Sequence, residues 1–355
     1  MKNNLNTKKS IQKLLSWEYW PMYMFYLPNI PFALYQTIKG GSLTFFTATN
    51  PAIENSGIGT ESKHKTLLLF PEKHLPKTVF HKANSSIKNT LKSLNAEGIT
   101  FPIIAKPDIG FRGLLVKKIE NETALIHYLE KYAIDVLIQE FLTQENECGI
   151  FYHRLPNEEK GTISSITLKE FLHVIGDGKS TLETLILKDK RATIYLELVK
   201  ENPLLDLDKI IKKDKKVNLS AIGNHCKGTR FINGNHLISN KLENTFDILN
   251  KQSNNWFYGR LDVKYNSFED LENGDFKILE LNGILAEPTH IYDAEKTTYF
   301  KALKTMRNHW KQLSKIAIYN NKVQNVPHRT TLGLLKDVRK LNKYTKYISK
   351  LNRID

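Results

Sequence analysis

The stretches 258–265 (YGRLDVKY) and 276–282 (FKILELN) are the most informative part of this 355-residue chain. Both have the length and apolar character of buried strands, and Asn273-Gly274 between them is a strong turn signal. We therefore predict an antiparallel hairpin. Each strand carries a carboxylate inside an apolar run, where an unpaired charge is costly, so these carboxylates are expected to have partners.

Asp262, Glu280 and Asn282 are the predicted metal ligands of this hairpin. Glu280 and Asn282 are two residues apart and share one face of their strand, and an antiparallel partner brings Asp262 to that face. Oxygen ligands of this kind suit Mg²⁺ (or Mn²⁺). Arg260 would point to the same face, where its guanidinium could hold a transferred phosphoryl group; a plain ion pair with Asp262 is the alternative.

Lys106 is the candidate phosphate-binding lysine. It ends an apolar stretch, 101–106, and is followed by a loop that contains Gly110 and Gly113. A lysine beside such a loop can neutralise phosphate oxygens while backbone amides cradle them. The same residues also fit an ordinary surface hairpin, and the loop is neither a Walker loop nor a dinucleotide fingerprint.

The segment Gln139-Glu140-Phe141-Leu142 is a candidate adenine-binding edge, because it ends a predicted strand and can offer backbone groups beside apolar side chains. Glu147 follows at a distance suited to ribose hydroxyls. The alternative for both is a strand that runs into an exposed acidic loop.

Two further loops are candidates for binding substrate. The first, 223–230, contains His225, Lys227 and Arg230, which suit a carboxylate or an acyl phosphate, although basic turns are common in so positive a chain. The second follows the strand 276–282 and contains Glu287 and His290. A capped loop in which the histidine makes a hydrogen bond is the alternative there.

Composition indicates a folded protein that is long enough for about two domains. Hydrophobic residues make up 41% and charged residues 25%, and the formal net charge is +15. Nucleic acid is not the expected partner, because the lysines are spread along the chain and the aromatic residues gather where charge is scarce. The two cysteines, Cys148 and Cys226, show no metal-ligand or disulfide spacing, which favours a reducing cytoplasm.

The segment 19–38 is aromatic and carries no charged side chain. Pro21, Pro28 and Pro31 would interrupt a helix in lipid, so we do not expect a transmembrane span. A buried docking segment and a surface that dips into the lipid interface are the two readings that stay open. No apolar run follows the basic residues of 1–9, so a secretory signal is not expected.

The remaining elements are predicted from apolar periodicity and turn signals. Strands are expected at 101–106, 114–119, 136–142, 151–155 and 163–169, and helices at 122–132, 181–196, 242–254 and 332–351. The last of these helices is amphipathic and basic. Strands that alternate with helices indicate an α+β core.

Taken in this order, residues 101 to 293 resemble the ATP-grasp superfamily, and the part that carries the resemblance best is Gly259-Arg-Leu-Asp262 followed by Leu279-Glu-Leu-Asn282. The turn 176–181 (GDGKST) is similar to the corresponding stretch of cyanophycin synthetases, and the chain also has local similarity to D-alanine–D-alanine ligase-like enzymes. The resemblance implies an ATP-grasp fold, in which two α+β subdomains clasp ATP.

The resemblance also implies roles for single residues. Lys106 and Lys169 would contact ATP phosphates, the loop from Gly110 through Arg112 to Gly113 would cover them, Glu140 to Leu142 would form the adenine hinge, and Glu147 would bind the ribose. The expected activity is that of an ATP-dependent carboxylate–amine ligase that forms an amide through an acyl phosphate. ATP, Mg²⁺, a small carboxylate and an amine are thus the expected ligands.

Three regions are expected: an aromatic-rich N-terminal region (1–97), an ATP-grasp domain (98–320) and a basic C-terminal helix (321–355). The alternative function is that of a membrane-surface-associated ATP-binding protein that acts on or recruits a cell-envelope substrate. A cytoplasmic location is expected, and the alternative places the protein at the inner face of the membrane through peripheral contact.

Overall fold

The structure is a computed structural model that describes residues 16–110, 113–200, 202, 205–220, 223–253 and 256–353. The strands are β1 (Thr78–His81), β2 (Ile103–Pro107), β3 (Lys117–Ile119), β4 (Val136–Glu140), β5 (Asn146–His153), β6 (Thr162–Glu170), β7 (His173–Ile175), β8 (Lys216–Asn218), β9 (Arg230–Asn233), β10 (Tyr258–Tyr265) and β11 (Lys277–Asn282).

The helices pack around these strands and dominate both ends of the described chain. They are α1 (Tyr23–Tyr26), α2 (Ile30–Gly40), α3 (Lys63–Leu67), α4 (Ile87–Ala96), α5 (Glu122–Lys131), α6 (Leu182–Lys188), α7 (Lys190–Ile194), α8 (Leu196–Lys200), α9 (Asn240–Gln252), α10 (Phe268–Asn273), α11 (Tyr299–Lys322) and α12 (Thr331–Arg353). None of the helices in the described ranges is long and apolar enough to span a membrane.

Two antiparallel sheets form the centre of the fold, which confirms the predicted mixture of strands and helices. The first sheet has the strand order β1-β4-β2-β3, and the second has the order β11-β10-β5-β6-β9. A small third sheet pairs β7 with β8. The three sheets contribute to apolar clusters that contain Ile138, Ile150 and Ile186 respectively. The first sheet extends across the expected boundary at residue 97, because β1 pairs with β4.

The connection between β10 and β11 differs from the predicted tight turn. The strands do pair antiparallel, but α10 lies between them, and Gly274 ends that helix with a φ of 84°. Ser267 and Asp270 form a capping box at its start. The Asn-Gly pair was therefore a helix-ending signal, in which glycine takes the left-handed conformation that follows the last turn.

Two other predicted elements have different bounds. The helix expected at 181–196 is broken at Asp189, whose carboxylate accepts a bond from the Ala192 amide and so begins a new helix. The strand expected at 151–155 begins earlier, at Asn146, and ends at His153. The basic C-terminal helix expected at 332–351 lies within α12.

Candidate active site

The predicted metal ligands face one another across β10 and β11. In the register of this pair Asp262 lies opposite Glu280, and Arg260 lies opposite Asn282, with an irregularity just after Asp262. β5 lies on the other side of β10 and places Gly149 opposite Asp262. A Cβ on Gly149 would lie 2.9 Å from Arg260 Cδ and 3.1 Å from Asp262 Oδ1, so the glycine leaves room for both side chains.

Asp262 is held between two cations. Its Oδ1 accepts a bond from Arg260 Nε at 2.8 Å, and its Oδ2 lies 3.1 Å from Lys169 Nζ. Burial alone would raise the pKa of this carboxyl, but the two cations outweigh burial and lower the pKa to about 2. The ion pair with Arg260, the alternative weighed for this arginine, is therefore present.

Lys169 joins Asp262 to Glu147. Its Nζ lies 2.6 Å from Glu147 Oε1, and the side chain is almost fully buried. Burial lowers the pKa of this lysine, but the charges of Asp262 and Glu147 outweigh burial and hold the pKa above its ordinary value. Glu147, the predicted ribose ligand, and Lys169, a predicted phosphate ligand, thus lie in one buried network of charges.

Lys63 is a member of this site that the sequence did not reveal. Its Nζ lies 2.8 Å from Glu280 Oε1 and donates a bond to the Gly110 carbonyl at 2.8 Å. Asp108 fixes the start of α3 by accepting bonds from Ser62 Oγ and from the His64 amide, each at 2.9 Å. Lys63 therefore joins the loop at Gly110 to strand β11 through contacts that only the fold creates.

Lys106 lies at the end of β2 and points toward the same strand. Its side chain is 8% exposed, and Nζ donates a bond to the Leu279 carbonyl at 2.9 Å. Burial is the main cause that lowers its pKa to about 8; Glu280 opposes this effect and Lys63 adds to it. No carboxylate forms an ion pair with Lys106 within the part of the chain that the structure describes.

The amide of Asn282 is the other incompletely bonded group. Its Nδ2 is buried and has no hydrogen-bond partner in the described structure. Because the two ends of an amide are assigned by their bonding, an unbonded end can present either its nitrogen or its oxygen. The group is thus available to a ligand on the face it shares with Glu280.

The predicted adenine edge lies at the end of β4. Gln139 Nε2 donates to Thr78 Oγ1 at 2.9 Å, and Glu140 Oε1 accepts a bond from the Lys77 amide at 2.9 Å. The Phe141 ring lies 4.8 Å from Lys118 Nζ, and Leu142 is buried. Their adenine role stays a prediction, as does that of the loop at Gly110 and Gly113, in which Arg112 lies outside the described residues.

Glu287 is the predicted substrate residue that contacts the charged network. Its carbonyl accepts a bond from Arg260 Nη1 at 3.0 Å. Its carboxylate accepts bonds from Tyr26 Oη at 2.6 Å and from Tyr292 Oη at 2.7 Å. The aromatic N-terminal segment therefore packs against this loop, as a docking segment would.

Three of the other four predicted substrate residues, His290, His225 and Arg230, have structural partners. His290 is buried and bonded to Ser165 Oγ at 2.6 Å, and burial lowers its pKa to about 4, which fits the alternative of a structural histidine. His225 Nε2 lies 3.4 Å from Glu18 Oε2. Arg230 pairs with Glu295 at 2.5 Å, and Lys227 is half-buried. Their substrate roles stay predictions.

The known proteins that match this chain are solved structures. No family model matches it, and no curated protein matches it. Among solved structures it is similar to the VanG D-Ala:D-Ser ligase of Enterococcus faecalis, with a TM-score of 0.42 and 13% identity over 75% of this chain and 63% of that one.

Two D-alanine–D-alanine ligases are also similar. The Helicobacter pylori ligase gives a TM-score of 0.39 and 17% identity over 72% of this chain and 60% of that one. The Bacillus anthracis ligase, solved in complex with ATP, gives a TM-score of 0.41 and 14% identity over 74% of this chain and 70% of that one. The match thus spans less than two thirds of the length of the first two ligases. The chain is thus similar to these ligases at 17% identity or less.

Proposed function

We propose that this chain is an ATP-dependent carboxylate–amine ligase that forms an amide or peptide bond through an acyl phosphate. ATP would bind between the sheet that carries Lys106 and the sheet that carries β10 and β11, as in an ATP-grasp enzyme. The proposal rests on the chemistry of the residues that meet between these sheets.

Lys106 carries the proposal. A buried ammonium with a lowered pKa and no carboxylate partner among the described residues is costly to the fold, and an anionic ligand would relieve that cost. Lys169 and Arg260 lie in the same network but are neutralised by Asp262 and Glu147. Lys106 is thus the one of these three predicted phosphate ligands whose positive charge no carboxylate among the described residues neutralises by an ion pair, so this charge can bind phosphate.

The residues on β10 and β11 fit a magnesium ion. Two carboxylates that face each other in register, with the Asn282 amide beside them, can supply oxygen donors of the kind Mg²⁺ takes alongside phosphate. No group of three or more His, Cys, Asp and Glu side chains suited to a metal occurs in the described ranges, and the predicted trio contains only two. Asp262, Glu280 and Asn282 would hold the ion, which would neutralise phosphate charge.

The reaction follows from these charges. A carboxylate oxygen of the substrate attacks the γ-phosphorus of ATP, and the bond to ADP breaks with its electron pair leaving on ADP. The nitrogen of an amine then attacks the acyl carbon, and phosphate leaves with the electron pair of the carbon–oxygen bond and takes up the proton that the nitrogen loses. Lys106 and Arg260 would stabilise the negative charge that develops on the transferred phosphoryl oxygens, since positioning and charge neutralisation are what phosphoryl transfer needs from a protein.

The test is an ADP-release screen with Mg²⁺ and ATP against pools of amino acids and small carboxylates. We expect a signal that depends on the pool for the unchanged protein. We expect Glu280→Gln to lower that signal by about 100-fold or more, because a carboxylate that would hold the magnesium ion is removed. Glu269→Gln, a change at an exposed glutamate of α10, is the matched control and should leave it unchanged.

Two results would overturn the proposal. One is the absence of ADP release with every pool although the protein is folded. The other is normal ADP release by Glu280→Gln. The membrane-surface role expected as the alternative function concerns a different part of the molecule and is tested separately, by lipid binding.

A further inference from the structure

Helix α2 (Ile30–Gly40) exposes apolar side chains that an ordinary surface helix would bury. Its buried positions include Gln36 and Gly40. Its outward positions include Ile30, Leu34 and Ile38, which are 44%, 57% and 81% exposed. A soluble helix normally turns its apolar stripe toward the core, so this arrangement leaves a stripe that another apolar phase has to cover.

The stripe extends beyond α2. Tyr23 and Leu27 are also exposed, and together with Ile30, Leu34 and Ile38 they follow one another at intervals of four, three, four and four residues. A 3-10 turn at Leu27–Asn29 joins α1 to α2, so the helical spacing is nearly continuous. The five side chains therefore lie along one face, roughly 22 Å long at 1.5 Å per residue.

The inner side of this segment is firmly anchored. Phe25 is buried against Ile291, Leu303 and Met306 of the body of the protein. Asn29 accepts a bond from Arg307 Nε at 2.6 Å. The exposed stripe is thus held in a fixed position rather than carried on a loose tail.

The charge around the stripe has one sign. Residues 19–43 contain no carboxylate, and their one charged side chain is Lys39. The segment then joins the start of α12, because Thr44 Oγ1 donates to the Arg329 carbonyl at 2.6 Å and the Arg329 amide donates to Thr47 Oγ1 at 2.9 Å. Leu43, which precedes Thr44, and Leu332, which follows Arg329 by three residues, are both exposed.

Helix α12 adds a basic face. Its exposed residues include six cations: Lys336, Arg339, Lys340, Lys343, Lys346 and Lys350. Its one carboxylate, Asp337, is paired with Arg329 at 2.9 Å. The exposed side of α12 therefore carries positive charge without acidic residues to balance it.

We propose that the stripe of Tyr23, Leu27, Ile30, Leu34 and Ile38 inserts into the interfacial layer of an anionic phospholipid bilayer while α12 contacts its headgroups. Apolar side chains that lie at the headgroup boundary, combined with a basic surface, are the features of a protein that lies on a membrane. Each lysine or arginine near an anionic surface adds to the attraction. This inference concerns a surface outside the candidate active site and does not depend on the ligase activity.

The experiment is flotation of the full-length protein with vesicles of phosphatidylcholine that contain 30% phosphatidylglycerol or none. We expect binding to the anionic vesicles that weakens as salt is raised. We expect the double change Leu34→Ser, Ile38→Ser to raise the lipid concentration for half-binding by about tenfold or more, because two apolar insertions are lost.

Ile248→Ser, at a similarly exposed position on α9, is the matched control and should bind as the unchanged protein does. Thermal unfolding of all three proteins verifies that the changes act at the surface. The inference fails if the protein ignores anionic vesicles, or if the double variant binds as well as the control. It also fails if sedimentation shows a dimer that the double variant abolishes, because the stripe would then be covered by a second copy of the chain.

Discussion

At the scale of single residues, Lys106 is the clearest case of a group whose surroundings disfavour its charge. The side chains of its neighbours Lys169 and Arg260 are also largely buried, but each has Asp262 as a counter-ion, and their pKa values are raised rather than lowered. The difference between these cations is therefore the presence of a carboxylate, not the depth of burial.

Lys106 predicts a pH dependence of ATP binding. The pKa of about 8 in the free protein should rise when phosphate lies beside the ammonium, so binding would take up a proton above that pH. ATP should thus bind with full affinity below pH 8, and its association constant should fall by about tenfold per pH unit above pH 8. Calorimetric titration of ATP between pH 6.5 and pH 9.5 measures this.

Lys106→Met supplies the comparison. It should bind ATP weakly and without that slope, whereas Lys88→Met, at an exposed lysine of α4, should behave as the unchanged protein. A slope that persists in Lys106→Met would show that another group titrates.

At the scale of elements, the site depends on the point where the chain leaves β11. The amides of Ile284 and Leu285 donate to the carbonyls of Ser56 and Gly57 at 3.1 and 3.3 Å. A Cβ on Gly283 would lie 2.7 Å from Gly57 Cα and 3.1 Å from the Ser56 carbonyl carbon, and backbone atoms cannot yield as a flexible side chain can. Strand β11 is thus joined to the N-terminal region by the contact between Gly57 and Gly283.

Gly283→Ala should lower the free energy of unfolding by about 2 kcal/mol or more, because the added methyl group forces the two backbones apart. Gly41→Ala is the matched control: it has a φ of 69° but open space around it, and should cost about 1 kcal/mol at most. Urea unfolding of both variants gives the two values. Equal losses would mean that the contact between Gly283 and Gly57 tolerates a side chain.

Sequence reasoning succeeded where local pattern decides the structure. The bounds of β10 were predicted because an apolar run framed by polar residues defines a strand, and the face shared by Asp262 and Glu280 followed from strand geometry. It failed at Asn273-Gly274, because the same pair ends helices and forms hairpin turns. Lys63 could not be found at all, since only tertiary contacts place it beside Glu280.

At the scale of the whole molecule, α12 connects regions that are far apart in the chain. Asp337 accepts a bond from Asn55 Nδ2 at 3.2 Å, and Asn352 accepts one from the Leu115 amide at 3.2 Å. Between these contacts Ile348 is fully buried in the cluster that supports the first sheet. The C-terminal helix, which the sequence shows only as basic and amphipathic, is therefore part of the core.

Ile348→Ala tests whether α12 supports the candidate active site. A Cβ on Gly110 would lie 3.9 Å from Ile348 Cδ1, so this side chain packs directly beneath the glycine loop. We expect the variant to lose about 2–4 kcal/mol of unfolding free energy, as buried isoleucines do. We also expect it to bind ATP more weakly, because the loop loses its support.

Leu335→Ala, at an exposed position on the same helix, is the control. It should change the free energy of unfolding by no more than about 0.5 kcal/mol and leave ATP binding intact. Urea unfolding and ATP titration distinguish the two effects. If Ile348→Ala is less stable yet binds ATP normally, α12 has only a structural role. If ATP binding is weakened under conditions where the variant is fully folded, the C-terminal helix positions the loop.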